Sequence, residues 1–124
     1  MTISFTDREL DVMSVLWDLG DATVAEVRAR LSDDLAYTTV LTVLRTLEEK
    51  GHVAHREEGK AYRYRPLVER QEAGQSVLTR MIDKVFGGSP ELLLTQLVRE
   101  RDMSVDELKR LRRLMDERLK ERGR

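Results

Sequence analysis

No segment of the chain constrains the fold more than residues 36–51, whose apolar and polar side chains separate cleanly when the segment is drawn as a helix. At about 100° per residue, the two groups occupy sectors that do not overlap. The apolar sector has the width of a stripe that faces a core. The polar sector, which we call the threonine face, consists of Thr38, Thr39, Thr42, Arg45 and Thr46. The segment is therefore predicted to bury one face and to present the other.

The composition of the threonine face predicts a contact surface. A face that needs only solvation usually carries Glu and Lys, because β-branched Thr loses rotamer freedom in a helix. Thr offers a hydroxyl to phosphates or base edges and a methyl to thymine, and Arg offers a two-pronged donor to guanine. We interpret residues 37–50 as a recognition helix for double-stranded DNA, with Tyr37 included in the contacting set. A plain solvated helix is the alternative, and the flanking sequence bears on the choice.

The flanking segments supply the other elements of a known motif. Thr6–Glu9 and Thr23–Glu26 each match a capping box, so a helix is predicted to begin after each threonine. After Gly51 the hydrophobic period changes to 2, and His52–Arg56 and Ala61–Arg65 are predicted to form the two strands of a β-hairpin. Three helices followed by a basic hairpin, or wing, is the order of a winged helix-turn-helix. In that fold the third helix enters the major groove and the wing contacts the adjacent backbone.

The distribution of charge tests this interpretation. Residues 1–67 hold nine Lys and Arg against twelve Asp and Glu, a net charge of −3, so a DNA-binding surface there must concentrate its cations. The predicted wing, residues 52–65, holds four of them: Arg56, Lys60, Arg63 and Arg65. Four aspartates lie far from the wing in sequence: Asp7, Asp11, Asp18 and Asp21. We expect Lys60 and Arg63 to contact DNA phosphates.

Other classes of protein are excluded by what the sequence lacks. The chain has no cysteine, which rules out disulfides, thiolate metal sites and a cysteine nucleophile. It has no Gly-rich phosphate loop, His-Glu-x-x-His motif or nucleophile elbow. His52 and His55 would point to opposite faces of a strand, so we expect them to be solvated or packed on the hairpin rather than to share a metal. We therefore expect no enzymatic activity, no metal and no cofactor.

The N-terminal sequence and the hydropathy bear on location. Charged residues between Asp7 and Asp11 argue against a signal peptide, and no apolar run approaches the ~20 residues of a membrane span. We expect a cytoplasmic protein without membrane contact.

Residues 68–124 have the pattern of three amphipathic helices. A helix is broken at Gly87-Gly88, the next is predicted to begin after Ser89, and Ser104–Glu107 is a third capping box. This region holds more apolar surface than three short helices can hide alone, since an isolated core of fewer than about 70 residues is marginal. We therefore predict a two-fold homodimer held by this helical arm. Its predicted dimerisation residues are Val77, Leu78, Met81, Ile82, Val85, Phe86, Leu93, Leu94, Leu97, Leu108, Leu111 and Met115.

The predicted fold is mostly α with a small β-hairpin. It consists of a winged helix-turn-helix domain over residues 1–67, followed by a helical dimerisation arm over residues 68–124. The interpretation as a protein-docking module without a DNA role stays open, because winged helices also serve that purpose and the net charge of the first region favours it. An effector-binding regulator, with a pocket between hairpin and arm, is a further alternative.

Several stretches of the chain resemble the penicillinase-repressor family of the BlaI/MecI type, which also includes copper-responsive CopY-type repressors. They are residues 6–17, 22–27, 35–51 and 61–66. The resemblance implies a dimeric winged-helix repressor on an inverted-repeat operator, typically built on a TACA/TGTA dyad. It gives Thr38, Thr39 and Thr42 the family's DNA-contacting positions. Some members have Lys where this chain has Thr38 and Arg where it has Thr46, and Arg45 is placed to supply that charge.

The resemblance also implies how repression would be lifted. In the β-lactam branch, a membrane sensor-protease pathway cuts the repressor at an Asn-Phe bond in the fifth helix. The matching pair here is Gln96-Leu97, which departs from that pattern. The copper branch senses metal through a cysteine cluster, and this chain has no cysteine. The partners to expect are therefore an operator duplex, a second copy of the chain and a sensor-linked protease.

Overall fold

The structure is a computed structural model that describes residues 3–123. That part of the chain folds into six helices and a small three-stranded sheet. The elements in chain order are α1 (Asp7–Leu19), β1 (Ala22–Thr23), α2 (Val24–Arg30), α3 (Tyr37–Glu49), β2 (Val53–Glu58), β3 (Ala61–Pro66), α4 (Arg70–Val85), α5 (Pro90–Glu100) and α6 (Val105–Arg122). The mostly α fold with a hairpin after the third helix is the one that the sequence predicted.

The first two helices begin at reciprocal capping boxes. The Thr6 hydroxyl accepts the Glu9 N–H at 3.2 Å, and the Glu9 carboxylate accepts the Thr6 N–H at 2.7 Å. Thr23 and Glu26 form the same pair of hydrogen bonds at the start of α2. Each box satisfies N–H groups that a helix terminus otherwise leaves free. The two predicted helix starts are confirmed.

The hairpin is tighter than the sequence suggested. Strands β2 and β3 pair antiparallel from Val53 opposite Pro66 to Glu58 opposite Ala61, so only Gly59 and Lys60 form the turn. Gly59 has a φ of +62°, the left-handed conformation that a two-residue hairpin turn requires. The prediction that the strand ended before Glu57 was wrong, because acidic residues on an exposed wing can extend a strand without being buried.

The strand β1 lies on the other side of β3 and makes the third strand of the sheet. Ala22 is opposite Tyr64, and Thr23 is opposite Arg63. The sheet and the first three helices enclose a core whose fully buried members come from every layer. Those with the largest side chains are Tyr64, Met13, Leu16, Leu44, Leu47, Val12, Val27, Val40 and Val53.

The chain divides into two compact units, Met1–Arg80 and Met81–Arg124. The first unit runs past residue 67, where the sequence suggested the boundary, because the start of α4 is bonded to the rest of that unit. The Ser76 hydroxyl donates to the Ile3 carbonyl at 2.9 Å. Ahead of α4, the Trp17 indole N–H donates to the Val68 carbonyl at 2.8 Å. Contacts of this kind join distant residues and leave no local sequence signal.

The second unit comprises the last part of α4 with α5 and α6. The hydroxyl of Ser89 accepts the Leu92 N–H at the start of α5, and Ser104 accepts the Glu107 N–H at the start of α6. The predicted break at Gly87-Gly88 is present, and both glycines have positive φ. None of residues 81–123 is buried. The local signals for these helices were correct, and their apolar side chains are exposed or half-buried.

Candidate nucleic-acid interface

Helix α3 has one buried and one exposed face. Val40 and Leu44 are fully buried, and Leu47 is buried beside them at the next turn. On the opposite side, the threonine face is exposed except at Thr46, which is half-buried. Tyr37 is 45% exposed at the start of the helix. The structure therefore brings these predicted contact residues together on one accessible surface, held by the core behind it.

The N-terminus of α3 differs from those of α1 and α2. Ala36 precedes the helix and provides no side-chain cap, and the first turn contains no acidic residue. The first N–H groups of the helix are consequently not bonded to a protein side chain. Free N–H groups and the positive end of the helix dipole both favour an anion such as a DNA phosphate.

The threonines of α3 are not chemically equivalent. The Thr42 hydroxyl donates to the Thr38 carbonyl at 2.9 Å, and the Thr46 hydroxyl donates to the Thr42 carbonyl at 3.0 Å. Within residues 3–123, the hydroxyls of Thr38 and Thr39 make no hydrogen bond. Only the two threonines of the first turn therefore keep a hydroxyl proton for a partner, which sequence alone did not distinguish.

The wing is fixed to the C-terminal end of α3 through His55. Its Nδ1 lies 2.6 Å from the Glu48 carboxylate. Its ring stacks on Tyr62 with ring centroids 4.4 Å apart and also contacts Tyr64. His52 is buried and packs against Phe5 at 4.8 Å. Both histidines therefore pack in and around the hairpin, which was one of the two roles that the sequence allowed.

A groove of about 350 Å³ lies between α3 and the wing. Its polar lining brings together three residues that the sequence assigned to DNA, Tyr37, Arg45 and Lys60. Leu41 lines it from α3 and Tyr62 from the wing. The remaining lining residues are Val24, Glu57, Gly59 and Ala61. Two cations and two phenol rings beside an open groove, against the single carboxylate of Glu57 in its lining, are suited to a phosphate backbone that passes between helix and wing.

Arg63 occupies a different environment from Lys60. Its guanidinium forms ion pairs with Asp21 at 3.1 Å, Glu26 at 3.0 Å and Glu58 at 2.8 Å, and its side chain is only 19% exposed. The pKa of the Arg63 guanidinium is raised, chiefly by its hydrogen bond to Glu58. Burial acts in the opposite direction, and the hydrogen bond to Asp21 raises the pKa further. Three carboxylates of the same chain thus pair with this half-buried arginine.

Asp21 lies far from the wing in sequence, but the fold brings it against two arginines of the wing. It pairs with Arg63 and lies 3.7 Å from Arg56. The cause is the pairing of β1 with β3, which places Thr23 opposite Arg63. A strand of two residues leaves too weak a pattern for this pairing to be read from sequence.

Sequence reasoning also missed the ion pair between Lys50 and Glu9. The Lys50 ammonium lies 2.8 Å from the Glu9 carboxylate, which is almost fully buried. Burial raises the pKa of Glu9, but hydrogen bonds from Lys50 and Thr6 outweigh it and lower the pKa overall. The pair joins the C-terminal end of α3 to the start of α1. The capping box identified Glu9 as part of a helix start, but no local pattern predicted that Lys50 would pair with it.

The pair Gln96-Leu97 lies in the interior of α5. Both residues are exposed, and Leu97 is 40% accessible. Between residues 3 and 123, no three His, Asp or Glu side chains are grouped so that they could hold a metal ion. No helix in that range has the length and apolarity needed to cross a membrane.

A helix with a buried face and an exposed threonine face, preceded by two helices and followed by a wing, defines a winged-helix DNA-binding protein. The chain belongs to the penicillinase repressor family, since the family profile described as "Penicillinase repressor" matches residues 5–117.

Individual relatives agree with this membership. The chain is 25% identical over 117 residues to the methicillin resistance regulatory protein MecI of Staphylococcus aureus (strain N315), covering 93% of this chain and 95% of MecI. It is 35% identical over 115 residues to the transcriptional regulator BlaI of Mycobacterium tuberculosis (strain H37Rv), covering 90% of this chain and 82% of that regulator. Among solved structures it is similar to the DNA-binding domain of the repressor BlaI, with a TM-score of 0.52 and 30% identity over 58% of this chain and 90% of that domain.

The protein is therefore a DNA-binding transcriptional repressor of the BlaI/MecI type, and the family is not enzymatic. This membership supports a DNA-binding role for the protein over the protein-docking alternative.

Proposed function

We propose that the protein represses transcription as a homodimer on an inverted-repeat operator, with helix α3 of each subunit in the major groove and each wing on the adjacent backbone. The observation that carries this proposal is the exposed threonine face of α3, backed by Val40, Leu44 and Leu47 in the core. The two α3 helices then lie about one helical turn of DNA apart. We also propose that the protein acts in the cytoplasm, where its operator DNA would be accessible.

Each contact residue receives a role from its surroundings. Thr38 and Thr39 donate hydroxyl protons to phosphates or base edges at the uncapped start of α3. Arg45 supplies a two-pronged donor to guanine, and Lys60 supplies the positive charge of the wing tip to a phosphate. Arg63, held by three carboxylates, positions the wing and does not itself contact DNA.

We propose that a second copy of the chain buries the exposed apolar side chains of the arm. Several of the dimerisation residues predicted from sequence are more than one-third exposed: Leu78, Met81, Val85, Leu94, Leu97, Leu108 and Met115. Helices with this pattern gain stability chiefly from packing their apolar stripe against another surface. In this proposal residues 1–67 bind DNA, and residues 68–124 set the spacing of the two DNA-binding halves.

The function is tested by fluorescence anisotropy with a duplex from upstream of the gene and a scrambled duplex of the same composition, each at two salt concentrations. We expect selective binding to the upstream duplex and a steep loss of affinity as salt rises. If the upstream duplex shows no preference, selection from random duplexes identifies the operator. Failure to select any sequence contradicts the proposal.

The roles of the two wing cations are separated by the salt dependence of operator binding. Lys60→Ala should weaken binding to every sequence and reduce the slope of log K against log salt by about 1, as the loss of one phosphate contact does. Arg63→Gln should leave that slope unchanged while lowering the melting temperature, because its partners are carboxylates of the same chain. A slope reduced by Arg63→Gln as much as by Lys60→Ala would show that Arg63 contacts DNA.

A further inference from the structure

We propose that Thr42 reads a thymine in the operator through its γ-methyl group, and not through its hydroxyl. The inference rests on the proposed function, since it assumes that the threonine face enters the major groove. It concerns which chemical group of the base the helix recognises. Thr42 is exposed and lies within the threonine face, between Thr38 one turn earlier and Arg45 at the next turn.

The hydroxyl proton of Thr42 is already used within the helix. It is donated to the Thr38 carbonyl at 2.9 Å, so Thr42 has no proton left for a phosphate oxygen or for an acceptor on a base. This excludes hydrogen bonds from Thr42 to guanine O6 or N7, to adenine N7 and to thymine O4, all of which need a donor.

The hydroxyl oxygen of Thr42 can still accept a hydrogen bond from the amino group of adenine or cytosine, but the γ-methyl is the apolar group of this side chain and the one suited to thymine. Since Cβ is substituted by both Oγ1 and Cγ2 in staggered positions, holding the oxygen against the backbone turns the methyl to a different side. Thr46 repeats the arrangement one turn later, with its hydroxyl on the Thr42 carbonyl at 3.0 Å. Thr46 is half-buried, so Thr42 is the better placed of the two to meet a base.

The base that fits a methyl is thymine. Its C5-methyl is the only apolar group that the four bases of unmodified DNA present in the major groove. A methyl-to-methyl contact excludes water from both groups, and the expected gain is about fourfold in affinity, from the transfer of one buried carbon.

The test uses two substitutions that each remove one group from Thr42. Thr42→Ser deletes the methyl and keeps the hydroxyl on the Thr38 carbonyl, whereas Thr42→Val deletes the hydroxyl and keeps a methyl. The probe is the duplex that the wild-type protein selects from a random library, and affinities are measured by anisotropy. We expect Thr42→Ser to bind it about fourfold more weakly and Thr42→Val to bind it within about twofold of the wild type.

The partner on the DNA is identified by replacing each thymine of the selected duplex singly with deoxyuridine, which removes only the C5-methyl. At one position per half-site, deoxyuridine should lower the affinity of the wild type about fourfold. At the same position it should not lower the affinity of Thr42→Ser any further, because that variant already lacks the methyl contact. Thr95→Ser in α5 is the matched control. Thr95 is also exposed and also donates its hydroxyl to a helix carbonyl, that of Glu91 at 2.8 Å.

Several results would overturn the inference while leaving the repressor function intact. The first is a loss of affinity with Thr42→Val that equals the loss with Thr42→Ser, and the second is no loss of affinity with Thr42→Ser. The inference also fails if Thr95→Ser weakens binding equally, or if Thr42→Ser still binds more weakly than the wild type on every deoxyuridine duplex. If the wild type selects no sequence at all, the proposed function itself fails, so the two failures are distinguishable.

Discussion

The two units of this protein use similar helices in opposite ways. In the first unit the apolar faces of the helices meet one another and the sheet, and side chains such as Met13, Leu16 and Leu44 are fully buried. In the second unit no residue from 81 to 123 is buried, although α5 and α6 have equally clear apolar stripes and good N-caps. The difference lies in what covers the stripes, and not in how well each helix is specified.

This difference shows how the molecule divides its tasks. A DNA-reading surface needs a rigid backing, and α3 receives one from the core, from the Glu9–Lys50 pair and from His55 on the wing. In the proposed homodimer, the exposed apolar side chains of the second unit are the surface that a second copy would cover. On that proposal the stability of the first unit is intrinsic, and that of the second unit depends on association.

The largest expected effect comes from opening a cavity in the first unit. Leu44→Ala should lower the free energy of unfolding by about 2–5 kcal/mol, because Leu44 is completely buried. Leu119→Ala, at a leucine of the second unit that is 69% exposed and lies outside the predicted dimerisation set, should change it by no more than about 0.5 kcal/mol. Urea denaturation followed by circular dichroism measures both. Equal losses in the two variants would contradict the contrast between the units.

The next effect should fall on association. Met115→Lys places a charge in the proposed dimer interface, and desolvating it should raise the dimer dissociation constant by about 30-fold or more. Asp116→Asn is the matched control, since it also adds one unit of positive charge but at the neighbouring polar position. Sedimentation velocity over a range of micromolar concentrations distinguishes them. Unchanged association of Met115→Lys would mean that this part of α6 is not the interface.

The smallest expected effect concerns pH and belongs to the first unit. The pKa of Glu9 is lowered from its usual 4.5, so the folded state favours the carboxylate. Its contribution is present above pH 4.5 and is lost as the pH falls through the folded-state pKa. Glu9→Gln should therefore cost about 1 kcal/mol at pH 7 and progressively less below pH 4.5.

The control for the pH effect lies in the second unit. Glu121 pairs with Arg118, but both side chains are about two-thirds exposed, so Glu121→Gln should change stability little at any pH. Thermal melts at pH 7 and pH 3.5 compare the two variants. If Glu9→Gln lowers the melting temperature equally at both pH values, the ion pair with Lys50 does not contribute to stability through its charge.

The parts of the fold that depend on neighbours in sequence could be predicted. The capping boxes at Thr6 and Thr23, the positive φ of Gly59 and the buried face of α3 were all indicated by residues within a few positions. The candidate DNA contacts on α3 follow from the same periodicity, and all of them except the half-buried Thr46 are exposed. Their contact with DNA stays a prediction.

The roles of Arg63 and Lys50 could not be predicted in this way. Arg63 has the residue type of a phosphate contact, yet β1 brings Asp21 to it and α2 brings Glu26. Lys50 reaches a carboxylate at the other end of the unit. In both cases the partner is decided by the packing of separate elements, which side-chain type and local spacing do not encode.

The sequence by itself determined the order of the elements, the position of the apolar stripe on each helix, and membership in a repressor family. These depend on local periodicity, capping and residue identity. Only the tertiary structure decided which cations of the wing form ion pairs within the chain and which threonine hydroxyls of α3 donate to a helix carbonyl. Those properties depend on the atoms that lie within about 3 Å of each group. Folding brings most of those atoms from distant parts of the chain, and within α3 itself they depend on the rotamer that each threonine adopts.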